Sequence, residues 1–211
     1  MDDIEKLVAD LSADVQAVKP APHPYLLSLQ WIGAAALYLL VTLALTGLRP
    51  DWRESFVEPW FAAEIATLLA LFLVTALSAA LLAFPDLHQK RPLAFAPLLP
   101  AILLVAVILA ADFADTPPAP LPEHSIECTL SILFTMLLPA VWTFRSMRKF
   151  ASTHYRLAGS IALLSAFSVG ALWLRLHEVN DSIAHVVEWH YLPMLGVGLI
   201  GLWLGKVLLK W

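Results

Sequence analysis

Apolar positions in this chain fall into six long runs separated by short polar breaks, at residues 26–47, 60–84, 93–111, 126–144, 157–176 and 189–209. Each run is about 19 to 25 residues long. A helix rising about 1.5 Å per residue needs about 20 apolar residues to cross the hydrocarbon core of a bilayer. The pattern therefore predicts an all-α fold, a polytopic membrane protein of six transmembrane helices. Ahead of the first run the pattern changes. Ile4, Leu7, Val8, Leu11, Val15 and Val18 recur at helical spacing, while Asp2, Asp3, Glu5, Asp10 and Asp14 fill the other faces. This predicts a short amphipathic helix on a polar tail, residues 1–24, in front of one integral membrane domain, residues 25–211.

Composition agrees with the pattern. Hydrophobic residues make up 60% of the chain and charged residues 14%, too apolar for a soluble domain that must cover its own core. The N-terminus is acidic and the first run is of full spanning length, so a cleavable signal is not expected and the first span should anchor the chain. Trp31, Trp60, Trp142, Trp189 and Trp211 lie near run ends, where amphipathic rings prefer the headgroup layer.

Basic residues set the expected orientation, because Lys and Arg near span ends resist translocation. With the N-terminus inside, Lys6, Lys19, Lys90, Arg91, Arg145, Arg148, Lys149, Arg156, Lys206 and Lys210 are cytoplasmic, against Arg49, Arg53 and Arg175 outside. Both termini are expected in the cytoplasm. The loop 112–125 carries no Lys or Arg, and its TPPAPLPEH run is extended, as suits an outer connection.

The acidic tail is poorly matched to an anionic leaflet, which attracts basic segments. A protein groove with a basic rim suits its apolar stripe better; packing on the bundle itself remains open. Lys19-Pro20-Ala21-Pro22-His23-Pro24 forms a stiff link to the membrane. In the last run Gly201 and Gly205 permit close backbone approach, either within the bundle or in a homo-oligomer.

The sequence resembles the NrsF family, bacterial inner-membrane anti-sigma factors that restrain an extracytoplasmic-function sigma factor of the sigma-F type. The resemblance runs nearly end to end. It rests on LVADLSADVQAV in the tail, on GLRPDW followed by Pro59, Phe61 and Glu64, on Cys128 with Pro139, and on Gly159, Gly170, LHEVNDS and EWH near the C-terminus. It implies a regulator that holds its sigma factor through the tail, with Ile4, Leu7, Val8 and Leu11 buried against the partner and Asp10 and Asp14 at the rim. The implied partners are the sigma factor and membrane lipids, with no direct contact to nucleic acid. The family typically carries two outer cysteines, and this chain has one. Cys128 matches the first, and Glu178, just after His177, stands at the second. An intramolecular disulfide is therefore impossible, and the resemblance implies that Cys128, with His177 and Glu178, reads an envelope metal or oxidative signal.

The outer breaks hold further candidate ligands, His124, Glu127, Asp181, His185, Glu188 and His190, beside Cys128, His177 and Glu178. His124 and Cys128 are four apart, and His177, Asp181 and His185 repeat at that spacing, so each set shares a face if the backbone is helical. Thiolate, imidazole and carboxylate together suit a divalent transition metal. No resident cofactor is expected. Glu64 is the one acid clearly inside an apolar run, with Arg175 as its candidate partner. Walker, GxSxG and HExxH signatures are absent, so an enzyme is not expected. The competing reading is a small membrane metal-handling or transport protein, which should show polar or broken spans near the midplane.

Overall fold

The structure is a computed structural model that describes residues 2–13, 20–85, 91–114 and 125–210. Asp14, Val15, Val18, Lys19, Lys90, His124 and Trp211 lie outside the described residues, as does most of the Pro-rich loop. The described chain forms α1 (Asp2–Ala13), α2 (Pro24–Thr46), α3 (Trp52–Val57), α4 (Pro59–Leu82), α5 (Arg91–Phe95), α6 (Leu98–Ala114), α7 (Ile126–Met147), α8 (Tyr155–His177) and α9 (Ile183–His185). A π-helical segment, Val186–Tyr191, then leads into α10 (Leu192–Leu208). Among the described residues there is no strand.

Among the described residues, six stretches are long and apolar enough to span a membrane: Pro24–Thr46, Pro59–Leu82, Pro92–Ala114, Ile126–Met147, Tyr155–His177 and Ile183–Leu208. This is a multi-pass, all-α membrane protein. Local signals set the helix ends. Pro24 and Pro59 open α2 and α4, where a missing N–H costs nothing. Gly47 closes α2 at φ +88°, a conformation that side chains with a Cβ rarely adopt. The sixth span begins at Ile183, six residues before the apolar run. His185, Glu188 and His190 interrupt the hydropathy there but not the helix, because both histidines point inward and are fully buried.

α8 is the central helix. It packs against α4, α7, α10 and α2, and most of its residues are buried. Small residues allow this. A methyl group on Gly159 would overlap backbone atoms of Gly201 and Gly205, and one on Gly170 would stand 2.6 Å from the Ile132 carbonyl oxygen. Gly201 and Gly205 of α10 are thus used within the chain, against α8, whereas Gly196 faces open space. α2, α6 and the outer face of α10 keep large side chains such as Leu40, Leu99, Ile102 and Leu199 exposed. A bilayer is the solvent that makes such a surface stable.

α2 runs antiparallel to α7. Near its start, Trp31 Nε1 donates to Ser146 Oγ at the far end of α7 (3.1 Å). The start of α7, with Cys128, therefore lies at the end of the bundle opposite to the start of α2, the helix that follows α1 in the chain.

Candidate functional site

At the Cys128 end, a polar network joins the α2–α4 connection to the α8–α9 connection. Arg49 is buried, its backbone N–H bonds Leu176 O (3.0 Å), and its guanidinium grips Asp51 and Asp181 at 2.6–2.9 Å. Hydrogen bonds to Asp181 and Asp51 push Arg49 further up, and the bond from Arg49 holds the Asp51 carboxyl down at about 2. Arg175 is also buried. It meets Glu64 in a bidentate pair, both bonds 2.8 Å, and reaches Asp181 Oδ1 at 3.1 Å. Tyr191 donates its hydroxyl to Glu64 as well. The Phe61 ring lies under both guanidinium groups, 4.9 Å from Arg49 and 5.1 Å from Arg175.

This network fixes the connection that carries Glu178. α8 stops at His177, Glu178 turns extended (φ −84°, ψ 144°), and its N–H still caps Leu174 O at 2.8 Å. The Val179 and Asn180 carbonyls accept from Arg49 and Arg175, and the Asn180 side chain accepts from the Ser182 N–H. A Glu leaving a helix in this way can swing its carboxylate back across the helix end toward α7.

There it meets three other groups. Cys128 Sγ lies 3.4 Å from Glu178 Oε1 and 3.7 Å from His185 Nε2. His185 Nε2 stands 3.2 Å from Glu178 Oε1, and His190 Nε2 stands 3.0 Å from Glu178 Oε2. The four donor atoms all lie within 4.8 Å of one another. Both imidazoles are fully buried, while Cys128 and Glu178 are partly exposed. His190 Nε2 and Glu178 Oε2 are close but badly angled for a hydrogen bond. Neither atom, nor Nδ1 of either histidine, has a hydrogen-bond partner among the described residues. Burial works to raise the Glu178 carboxyl; the close approach of the His190 ring at 3.0 Å, with the Cys128 thiol and His185, outweighs it and keeps Glu178 below its usual range.

The π-helical segment is what brings the two histidines together. Five residues along an ordinary α-helix turn about 140° past a full circle and would separate them. With i→i+5 bonding the fifth residue returns nearly over the first, and the rings of His185 and His190 stand 5.2 Å apart. The local cause is Pro193. It has no N–H to give the Trp189 carbonyl four residues back, and its ring crowds that carbonyl. The chain widens instead: Leu192 N–H bonds Val187 O, five back, and Thr129 Oγ1 on α7 donates to the freed Trp189 O at 2.6 Å.

Of the residues singled out from sequence, Cys128 and Glu178 are brought together. His177 is not with them: its Nδ1 pairs with the Gly47 carbonyl oxygen at 2.9 Å and its ring stacks on Trp173. Asp181 joins the arginine network, and His185 and His190 complete the cluster. At the other end Ile4, Leu7, Val8 and Leu11 share one face of α1 and are 58–69% exposed. Asp10 is on the same helix and exposed, while Asp14 lies outside the described residues.

Relatives and family agree with this architecture. No solved structure matches the chain. It is 31% identical to the probable anti-sigma-F factor NrsF of Azospira oryzae, covering 98% of this chain and 99% of that protein. To the anti-sigma-F factor NrsF of Caulobacter vibrioides it is 28% identical, again over 98% and 99%. Residues 11–211 match the family described as NrsF, negative regulator of sigma F. The chain belongs to the NrsF family.

Proposed function

We propose that this protein is a membrane-bound anti-sigma factor that sequesters an extracytoplasmic-function sigma factor through its N-terminal segment. It releases that factor when an envelope metal or oxidant acts at the Cys128 end of the bundle. The protein sits in the inner membrane with both termini in the cytoplasm, and it acts by binding rather than by catalysis. The observation that carries this reading is the bare apolar stripe of α1: four large aliphatic side chains at helical spacing, all more than half exposed. Such a stripe costs free energy in water and gains it in a partner's groove. The acidic residues beside it complement a basic rim, the usual character of a protein that also binds nucleic acid.

Leu7→Asp tests the docking face. Loss of one buried leucine removes about 1.5–3 kcal/mol, one to two powers of ten in affinity, and a carboxylate in the groove adds to that. Constitutive expression of the sigma-dependent genes is expected, with the variant protein still in the membrane at normal amount. A Leu7→Asp protein that represses fully would exclude α1 as the docking element.

A further inference from the structure

The structure assigns a coordination site for one divalent ion of the zinc class to Cys128, Glu178, His185 and His190. The site's existence is independent of the sigma-factor reading; only its regulatory consequence rests on it.

Geometry is the first support. Donors bound to a tetrahedral zinc at about 2.0–2.3 Å stand about 3.3–3.6 Å apart. Cys128 Sγ, His185 Nε2 and Glu178 Oε1 stand 3.2, 3.4 and 3.7 Å apart, close to the edges of one face of such a tetrahedron, and His190 Nε2, 3.0 Å from the other oxygen of Glu178, lies within 4.8 Å of the set as the fourth donor. The second support is polar satisfaction. Two fully buried imidazoles and a carboxylate face one another with His190 Nε2 and Glu178 Oε2 lacking a well-formed hydrogen bond, an arrangement that is costly in a site of low dielectric. A cation at the centre satisfies all four lone pairs at once. Charge is the third support. A divalent ion with one thiolate, one carboxylate and two neutral imidazoles is neutral overall, the only charge that is cheap at a membrane rim. A monovalent soft ion would leave the site at −1.

The fourth support is the backbone. Pro193 and Thr129 hold a π turn that places His190 beside His185. Segments of this kind recur at functional sites. Binding is an acid–base exchange without redox change: Cys128 gives up its thiol proton to solvent, and its sulfur lone pair forms the metal–sulfur bond. Because the ligands come from α7, the α8–α9 connection, α9 and the π segment, the ion cross-links the fourth, fifth and sixth spans at one end. For it to act as the signal, the releasing arrangement must hold the ion more tightly than the resting one.

The full-length protein, purified in mild detergent with a histidine-free tag and stripped with chelator, is titrated with Co²⁺ and then with Zn²⁺. One equivalent of Co²⁺ is expected to give the intense visible bands of tetrahedral cobalt and a near-ultraviolet sulfur-to-cobalt charge-transfer band. Stoichiometric Zn²⁺ is expected to bleach both. Cys128→Ser should abolish the charge-transfer band, and His185→Gln and His190→Gln should each weaken binding at least tenfold; His154→Gln, at the opposite end, should leave it unchanged. In the unmodified protein, Zn²⁺ should slow alkylation of Cys128, its single cysteine, at least tenfold. This arm does not depend on how any variant folds. An octahedral cobalt spectrum without the sulfur band, or alkylation indifferent to Zn²⁺, overturns the site. Co-purification of the sigma factor, measured separately with and without Zn²⁺, reports on regulation: a site that binds without releasing the factor rejects the metal as signal and leaves the site standing.

Discussion

A carboxylate and a guanidinium inside apolar helices are tolerated as a pair and punished singly. Glu64 and Arg175 meet this condition with two parallel hydrogen bonds, a third ligand in Tyr191 and a ring face in Phe61. Arg175→Met should therefore destabilise the protein by about 3–5 kcal/mol, because Glu64 is left charged in an apolar surrounding without its cation, with only the Tyr191 hydroxyl to solvate it. The double variant Glu64→Leu with Arg175→Met should recover most of that loss. Chemical unfolding in detergent measures both, and a single variant as stable as its parent would show that Glu64 finds another partner or takes up a proton without cost. This pair was legible in the sequence, since one acid inside an apolar run and one base at the end of another leave few alternatives. The cluster was legible only in part. Cys128 and Glu178 stand out in the sequence, but the four-residue spacing of His177, Asp181 and His185 puts them on one face only if the helix continues through them. The chain leaves the helix at Glu178, and that break sends His177 to Gly47 and Asp181 to the arginines.

Elements were read from hydropathy, and hydropathy works well where lipid is the solvent. All six spans could be placed because a long apolar run has no other stable use. What it does not report is the form of the backbone inside a span. The π segment lies where polar residues interrupt the sixth run, so hydropathy alone starts that run several residues late. The signal was Pro193, one residue into α10, together with a hydroxyl on a neighbouring helix to receive the freed carbonyl. Pro193→Ala supplies the missing N–H and lets Val186–Tyr191 tighten toward an α turn, carrying His190 away from His185. The expected result is a 10- to 100-fold loss of Co²⁺ affinity with every ligand still present, the range found when supports of metal ligands are removed. Cobalt titration of this variant decides it. Unchanged affinity would mean that Thr129 alone holds the turn.

At the scale of the whole molecule, the proposed function requires the two ends to face different compartments. The cluster sits where α7 begins and α8 ends, whereas α1 is joined to the start of α2, beside the end of α7. A helix of 23 residues such as α8 separates these ends by about 35 Å. An ion that cross-links α7 with the connections flanking α8 can affect α1 only by shifting helices as rigid bodies, and α8, packed against four of the other spans, is the element that must move or hold. This scheme needs the cluster outside and α1 inside, and the basic residues give the expected sense, ten on the α1 side against three on the other. Alkaline phosphatase fused after Pro118 should be active and, fused after Lys149, inactive; a cytoplasmic reporter should give the reverse at both points. Were the pattern inverted, α1 would face away from any sigma factor, and both the docking helix and the direction of signalling would have to be abandoned, while the cluster would stand as a metal site opening to the cytoplasm.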